Sequence, residues 1–194
     1  MNTDLQQPRL LLVLASARRQ KILRDWNVRF EVLTPDTREV LYEQDAVRTA
    51  HENALLKCEW GRIRRPRQHI LAADTVIDFA GRCVGKGGDL AEARAMLRRF
   101  SGKTHLVWTA VALARPASAP ELILAQSTVQ FRRLSEETIR QYVAEVQPLD
   151  RAGAYDIDEQ GEQLIDSYTG SRANIMGLPI EVLLDWLRRE QLIT

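Results

Sequence analysis

The stretch ILAADTVIDFAGRCVGK, residues 70 to 86, predicts a β-hairpin near the middle of the chain. Asp74 lies within an apolar run, a turn follows at Ala80-Gly81, and a short return segment ends at Lys86. A lone charge at the edge of a low-dielectric region is costly, so it is usually compensated by a metal ion, a cation or a proton. The return arm of the hairpin could bring Lys86 close to Asp74. The pair predicts acid chemistry on a phosphate-bearing substrate.

The composition predicts one soluble globular unit spanning residues 1–194, with a loose, polar segment at residues 1–8. Hydrophobic residues make up 45% of the 194 residues and charged residues 27%, which is ordinary for a globular chain. A net charge of +1 gives no support for nonspecific nucleic-acid binding. No apolar run approaches the ~20 residues of a membrane span. Cys58 and Cys83 lack metal-ligand spacing, so they are predicted to be reduced, structural thiols of a cytoplasmic protein.

The N-terminal region predicts an anion site. Residues 9–15 (RLLLVLA) form a continuous apolar run, typical of a strand buried on both faces. After Ser16 the pattern changes to a helix that opens with Arg18 and Arg19. The backbone N–H groups and dipole at a helix start favour anions, and arginines add forked donors. The alternative is a buried strand joined to a basic surface helix.

A helix predicted over residues 43–60 offers a second cation. Lys57 lies on a face of small residues, four positions after Asn53. It could reach a cleft, or its ammonium group could extend to solvent. The basic stretch that follows, residues 61–69, could be a nucleic-acid patch. It lacks interleaved aromatic residues, which favours a solvated linker.

The remaining patterns predict alternating strands and helices. Strands are predicted at residues 28–33, 103–115, 121–132 and 162–165, the second and third of these as an antiparallel pair; helices are predicted from Asp89 to Phe100, after Ser135, and after Pro179 with Val182, Leu183, Trp186 and Leu187 buried. The acidic, small-residue segment 150–159 is either a substrate loop or an ordinary connection.

Several short motifs, taken together, resemble those of the Maf family. They are Leu14-Ala15-Ser16 with Arg18-Arg19, Phe30-Glu31-Val32, Asn53-Ala54 with Lys57, Ala73-Asp74-Thr75-Val76, Gly85-Lys86, Ser101-Gly102 with His105 and Thr109, residues 148–155 (PLDRAGAY), and Gly177-Leu178-Pro179. These septum-formation-inhibitor proteins act as nucleoside triphosphate pyrophosphatases and are related in fold to inosine triphosphate pyrophosphatases. The resemblance runs from about Leu10 to Arg189. It implies an α/β fold: a long, mixed, twisted sheet flanked by helices, in two lobes with a cleft between them.

The resemblance also implies the reaction and its residues. The family cleaves the bond between the α and β phosphates of a nucleotide with the help of a divalent cation, Mg²⁺ or Mn²⁺. Asp74 matches the position assigned as proton acceptor; it could instead hold the metal, together with Glu31. The matching substrate-site positions are Ser16, Arg18, Arg19, Lys57 and Lys86. A homodimer is plausible by the same analogy.

Three departures from the family pattern affect these expectations. Where the family has Leu-Ala-Ser-x-Ser-Pro-Arg-Arg, this chain has Leu14-Ala15-Ser16-Ala17-Arg18-Arg19. The stretch after Ser16 is thus two residues shorter here and lacks the proline. The family's Gly-Lys-Pro is Gly85-Lys86-Gly87, and its Gly-Ile-Gln is Asp156-Ile157-Asp158.

The third departure bears on the choice of base. Members selective for dTTP and UTP carry Arg, Thr and Gln at the discriminating positions, whereas 7-methyl-GTP members carry Trp, Gln and Glu. The matching residues here are Arg18, Thr75 and Asp158, and an ionised Asp only accepts hydrogen bonds. The resemblance therefore favours pyrimidine triphosphates. The competing hypotheses are a catalytically weakened regulator that binds a nucleotide or a protein partner, and RNA binding through residues 62–67.

Overall fold

One mixed β-sheet forms the centre of the protein. A computed structural model describes residues 10–193, so the segment predicted to be loose, residues 1–8, lies outside the described residues. The strands are β1 (Leu10–Val13), β2 (Phe30–Val32), β3 (His69–Phe79), β4 (Arg82–Val84), β5 (Thr104–Ala114), β6 (Glu121–Phe131) and β7 (Ile165–Thr169). The strand order is β2-β1-β3-β5-β6-β7, and β4 pairs with β3. β1 is parallel to both of its neighbours, and the other pairs are antiparallel.

Helices cover both faces of the sheet. They are α1 (Ala17–Asp25), α2 (Ala46–Arg64), α3 (Leu90–Phe100), α4 (Glu136–Val146), α5 (Arg172–Ile175) and α6 (Ile180–Arg189), with a 3₁₀ turn at Gly161–Gln163. Side-chain carboxylates and hydroxyls cap several helix starts, as at Asp89 before α3 and Ser135 before α4. No helix within residues 10–193 is long and apolar enough to cross a membrane. The predicted α/β class, a mixed sheet flanked by helices, is confirmed.

Three apolar clusters divide the molecule into two lobes. At one end of the sheet, α1 and α6 pack on one face with Leu71 and Ala73 of β3. On the opposite face of that end, α2 packs on Ile70 and Ala72. At the other end, α3 and α4 enclose a cluster that includes Ile77 of the same strand. Because β3 contributes to all three clusters, its middle lies between the lobes.

Most of the predicted elements are confirmed, with corrections near their ends. The predicted strand 162–165 is wrong: the chain turns through a 3₁₀ helix there, and the strand begins at Ile165. Val182 is 50% exposed, and Ile180 is buried in its place. The stretch predicted as a linker from residue 61 is helical as far as Arg64. Gly61 allows this last part of α2 to pack closely against β1, since a Cβ there would lie 2.5 Å from Cγ2 of Val13.

The lobe that contains α3 and α4, the second lobe, encloses a buried histidine, His105. Its ring stacks on Phe100 with a centroid separation of 4.6 Å, and its Nε2 lies 2.9 Å from the Tyr155 hydroxyl oxygen. Nδ1 has no hydrogen-bond partner among the described residues. Burial lowers the pKa of His105 to about 4, so the ring is neutral in the folded protein at neutral pH.

This histidine makes the fold sensitive to acid. The pKa of a histidine in the unfolded chain is about 6.5, so between that value and about 4 the unfolded chain binds more protons. Stability contributed by the neutral ring is therefore complete above the unfolded pKa and is lost as the pH falls through the folded pKa. We expect His105 to account for about 2 kcal/mol of lost unfolding free energy between pH 7 and pH 5. Urea unfolding of the wild type and His105→Gln at both pH values measures this loss; equal pH dependence in the two proteins would contradict it.

Candidate active site

A cleft of about 660 Å³ lies between the lobes, within the size range of small-molecule sites. It is bounded by the chain after β1, the start of α1, the middle of β3 and the segment after β4. Two irregular segments complete it, near residues 34–41 and 150–157. Seven of the nine predicted site residues line it: Ser16, Arg18, Arg19, Lys57, Asp74, Thr75 and Lys86.

Asp74 is one of the buried carboxylates of the cleft. Alternation along β3 points it to the same face as Ile70 and Ala72, against which α2 packs. Lys57 Nζ on that helix donates to Asp74 Oδ1 at 2.6 Å. Asn53, one helical turn earlier, donates to Oδ2 at 3.4 Å. Asp74 is 8% exposed and Lys57 7%. Of the two alternatives for Lys57, the one in which its ammonium group extends to solvent is therefore wrong.

A second carboxylate, that of Glu39, shares the same ammonium group. Glu39 Oε1 lies 2.7 Å from Lys57 Nζ. The loop that carries Glu39 is held by Asn53, which accepts from the Val40 backbone N at 2.8 Å and donates to the Val40 carbonyl at 3.0 Å. Sequence reasoning missed Glu39, because a glutamate in an irregular loop has no periodicity to mark it.

Glu31, predicted as a metal ligand beside Asp74, lies outside the cleft. On β2 it pairs with Leu11, which pairs in turn with Ile70, four residues before Asp74 and two strands away. Its carboxylate accepts from Arg65 at 3.0 Å and from Gln68 at 3.2 Å. The sequence expectation is therefore corrected: Glu39, not Glu31, approaches Asp74.

The two carboxylates in the cleft have opposite pKa shifts. Burial raises the pKa of Asp74, although Lys57 and Arg19 oppose the shift. Burial also acts to raise the pKa of Glu39, but its contacts with Lys57 outweigh burial and lower that pKa. Divergent pKa values in one site are typical of acid–base pairs. Asp74 is thus the more basic of the two carboxylates.

Arg19 presents a fixed positive charge to the cleft. Its guanidinium donates to the Gly177 carbonyl at 2.7 Å, the Ala73 carbonyl at 3.0 Å and Thr75 Oγ1 at 2.7 Å. Ser16 caps α1 by accepting from the Arg19 backbone N, so α1 begins directly after the shortened loop. All three acceptors of the guanidinium are neutral, which leaves its charge available to an anion.

Lys86 and Thr75 also line the cleft. Lys86 is exposed at the end of the β-hairpin, where its backbone forms a bridge with Ala152. The hairpin is confirmed, but the lysine that contacts Asp74 is Lys57. Thr75 Oγ1 lies 2.9 Å from Thr109 Oγ1, and Thr109 donates to the Asn174 carbonyl at 3.3 Å.

Asp156, rather than the predicted Asp158, faces the cleft. Asp158 Oδ1 lies 2.5 Å from Arg172 Nη2, and Asp158 is not among the described residues that line the cleft. Asp156 is 2% exposed and accepts from Arg18 Nη1 at 3.0 Å. The resemblance drew attention to position 158, whereas the segment turns so that position 156 points inward.

The donor set fits a divalent cation that is also bound by its substrate. Within residues 10–193 no group of three or more His, Cys, Asp or Glu side chains is placed to hold a metal ion. Asp74 and Glu39, however, both contact one ammonium group, which marks a position favourable to positive charge. Mg²⁺ is commonly held by one or two carboxylates together with substrate phosphates.

Fold and cleft together define a class: two-lobed α/β proteins with a cleft between the lobes that is lined by several cationic side chains. Two solved structures share the fold, the Ham1 protein of Staphylococcus aureus and a HAM1 protein of Coxiella burnetii. The first superimposes with a TM-score of 0.52 at 13% identity, over 93% of this chain and 98% of that one. The second has a TM-score of 0.53 at 16% identity, over the same shares of the two chains.

The sequence places the chain within one family of this class. The model of the Maf family, described as Maf-like protein, matches residues 9–190, and the chain belongs to that family. A Myxococcus xanthus protein named dTTP/UTP pyrophosphatase is 37% identical over 194 residues, 97% of this chain and 95% of that protein. A protein of the same name from Thermotoga maritima is 34% identical over 181 residues, 92% of this chain and 88% of that protein. The resemblance predicted from the motifs is confirmed.

The Asp74–Lys57 pair predicts a specific pattern of stabilities. Lys57→Met leaves the Asp74 carboxylate buried without its cation, which costs roughly 3–5 kcal/mol. The loss should be larger at pH 8 than at pH 5, because an unpaired Asp74 takes up a proton as the pH falls. The double variant Lys57→Met/Asp74→Asn should regain most of the unfolding free energy. Urea unfolding of all four proteins completes the cycle, and additive effects of the two substitutions would contradict a direct pair.

Proposed function

We propose that the protein hydrolyses the α–β phosphoanhydride bond of nucleoside triphosphates, releasing a nucleoside monophosphate and pyrophosphate. We further propose dTTP and UTP as its preferred substrates. The observation that carries the reaction is the buried Asp74 carboxylate, with its raised pKa, in a cleft lined by three further cationic side chains besides Lys57: Arg18, Arg19 and Lys86. The family match and the names of the relatives support the same reaction.

The residues divide the work as follows. Arg19 and Lys86 offset the negative charge of the phosphates, which otherwise repels the attacking oxygen. Asp74 accepts a proton from the water that attacks the α-phosphorus, and the bond from this phosphorus to the bridging oxygen breaks as pyrophosphate leaves. A carboxylate whose pKa is raised toward neutrality suits that role. Lys57 holds the Asp74 carboxylate in place.

A divalent cation, Mg²⁺ or Mn²⁺, belongs to this proposal. Glu39 would hold it together with phosphate oxygens, while Asp74 serves as the proton acceptor. When bound, it would polarise the attacked phosphate and neutralise developing charge.

The biological setting follows from the reaction. Hydrolysis of surplus or noncanonical triphosphates would clear them from the nucleotide pool of the cytoplasm. The free thiols of Cys58 and Cys83 support a reducing compartment. The RNA-binding alternative has little support, because Arg62 pairs with Glu59, Arg65 pairs with Glu31 and Arg64 stacks on Trp60.

The reaction is tested by pyrophosphate release over a panel of canonical and modified triphosphates, with Mg²⁺ and Mn²⁺ compared. Asp74→Asn should lower kcat by about 10²–10⁴-fold, the usual contribution of a positioned acid–base group. Glu39→Gln should raise the metal concentration that gives half-maximal activity. Lys86→Ala should chiefly raise KM for the triphosphate.

An exposed cation away from the cleft serves as the matched control. Arg67→Ala should leave pyrophosphate release unchanged, while circular dichroism confirms that each variant is folded. A folded wild-type protein that hydrolyses no member of the panel would overturn the proposal. If calorimetry of that protein showed nucleotide binding without turnover, the weakened regulator suggested by the shortened loop after Ser16 would take its place.

A further inference from the structure

Asp156 is a buried carboxylate that the reaction described above does not use. Its Oδ2 accepts from Arg18 Nη1 and from Arg151 Nε, both at 3.0 Å. Its Oδ1 accepts from the backbone N of Asp158 at 2.8 Å, and its own backbone N donates to the Tyr142 hydroxyl at 2.8 Å. The side chain is only 1% exposed. A carboxylate fixed on every side in this way holds Arg18 in one orientation.

Arg18 and Arg19 are therefore unlike each other, although they are adjacent at the start of α1. Arg19 donates to neutral acceptors and keeps its charge for an anion. Arg18 is paired with Asp156, and beside it Arg151 also pairs with Glu159 at 2.9 Å. Positive and negative charges balance around Arg18, so a phosphate gains little there. An uncharged polar group that accepts hydrogen bonds suits the Arg18 end of the cleft better.

The remaining donors of Arg18 are available to such a group. Among residues 10–193, the Arg18 side chain makes its one hydrogen bond to Asp156. The side chain is 30% exposed and lines the cleft. A guanidinium donates hydrogen bonds and never accepts them.

We propose that Asp156 is a specificity-determining positioning residue, which holds the Arg18 guanidinium as a donor to the O4 carbonyl oxygen of uracil or thymine. The inference rests on the proposed function and names the part of the cleft that selects the base. Cytosine carries an amino group where uracil carries O4, so it would present a donor to a donor. Because α1 begins at Ala17, directly after Ser16, Arg18 lies in its first turn. The contact with Asp156 then fixes the orientation of the Arg18 side chain.

The test is the ratio of kcat/KM for UTP to that for CTP, measured by pyrophosphate release. Asp156→Asn keeps the shape of the side chain and removes its charge. We expect the ratio to fall roughly tenfold, in line with the discrimination that a well-placed Arg–base contact gives. A purely structural role would lower kcat/KM for both substrates by the same factor and leave the ratio unchanged.

Two further variants complete the experiment. Glu159→Gln removes a carboxylate from the same cluster without touching Arg18, so the ratio should remain that of the wild type. In an Arg18→Met background the ratio should already be low, and Asp156→Asn should lower it no further. If Asp156→Asn fails to fold, Arg18→Met alone decides the matter, and a wild-type ratio in that variant overturns the inference.

Failure of the inference is distinguishable from failure of the proposed function. A wild-type protein that cleaves triphosphates but does not favour UTP over CTP overturns the inference and the proposed choice of substrates, but leaves the proposed reaction standing. A wild-type ratio retained in Asp156→Asn overturns the inference alone. Loss of all hydrolysis in the wild type overturns the proposed function.

Discussion

The contact between Lys57 and Asp74 constrains the rest of the structure more than any other. Both side chains are nearly inaccessible to water, and each charge would be strongly destabilising without the other. The contact requires α2 to lie close against β1 and β3. Small residues make this approach possible: Ala50 and Ala54 are fully buried against the sheet, and a Cβ on Gly61 would collide with Val13. The close packing of α2 on the sheet thus brings Lys57 within reach of Asp74.

The same strand that carries Asp74 also joins the two lobes. β3 pairs with β1 at its start and with β4 at its end, and β5 runs alongside most of its length. Asp74 lies where the helices of the first lobe give way to those of the second. A carboxylate at this point is buried by its own strand and helix and still faces the cleft. Burial and access, which usually exclude each other, are both satisfied because the site lies at the junction of the lobes.

Patterns of regular structure allowed the sequence to predict the parts of the site that helices and strands carry. Asp74 stood out as a charge in an apolar strand, and Lys57 and Asn53 stood out at helical spacing. Glu39 and Asp156 were missed because each lies in an irregular segment, whose course is set by tertiary contacts such as the two hydrogen bonds between Asn53 and Val40. Glu31 was assigned wrongly for a related reason. A short motif fixes a residue type, whereas the strand register places Glu31 beside Arg65 and Gln68.

The distribution of charge differs between the two ends of the cleft. Around Asp74, cations with neutral or shared partners leave positive charge for an anion, and these cations lie on α2, near the start of α1 and just beyond β4. Around Arg18, each cation is matched by a carboxylate of the segment after α4. Loops tolerate substitution better than the elements they connect, and two of the three departures from the family pattern, those after Ser16 and at residues 156–158, lie around Arg18. Because Arg18 is held by a side chain from that loop, the orientation of Arg18 can change without disturbing the Asp74–Lys57 pair.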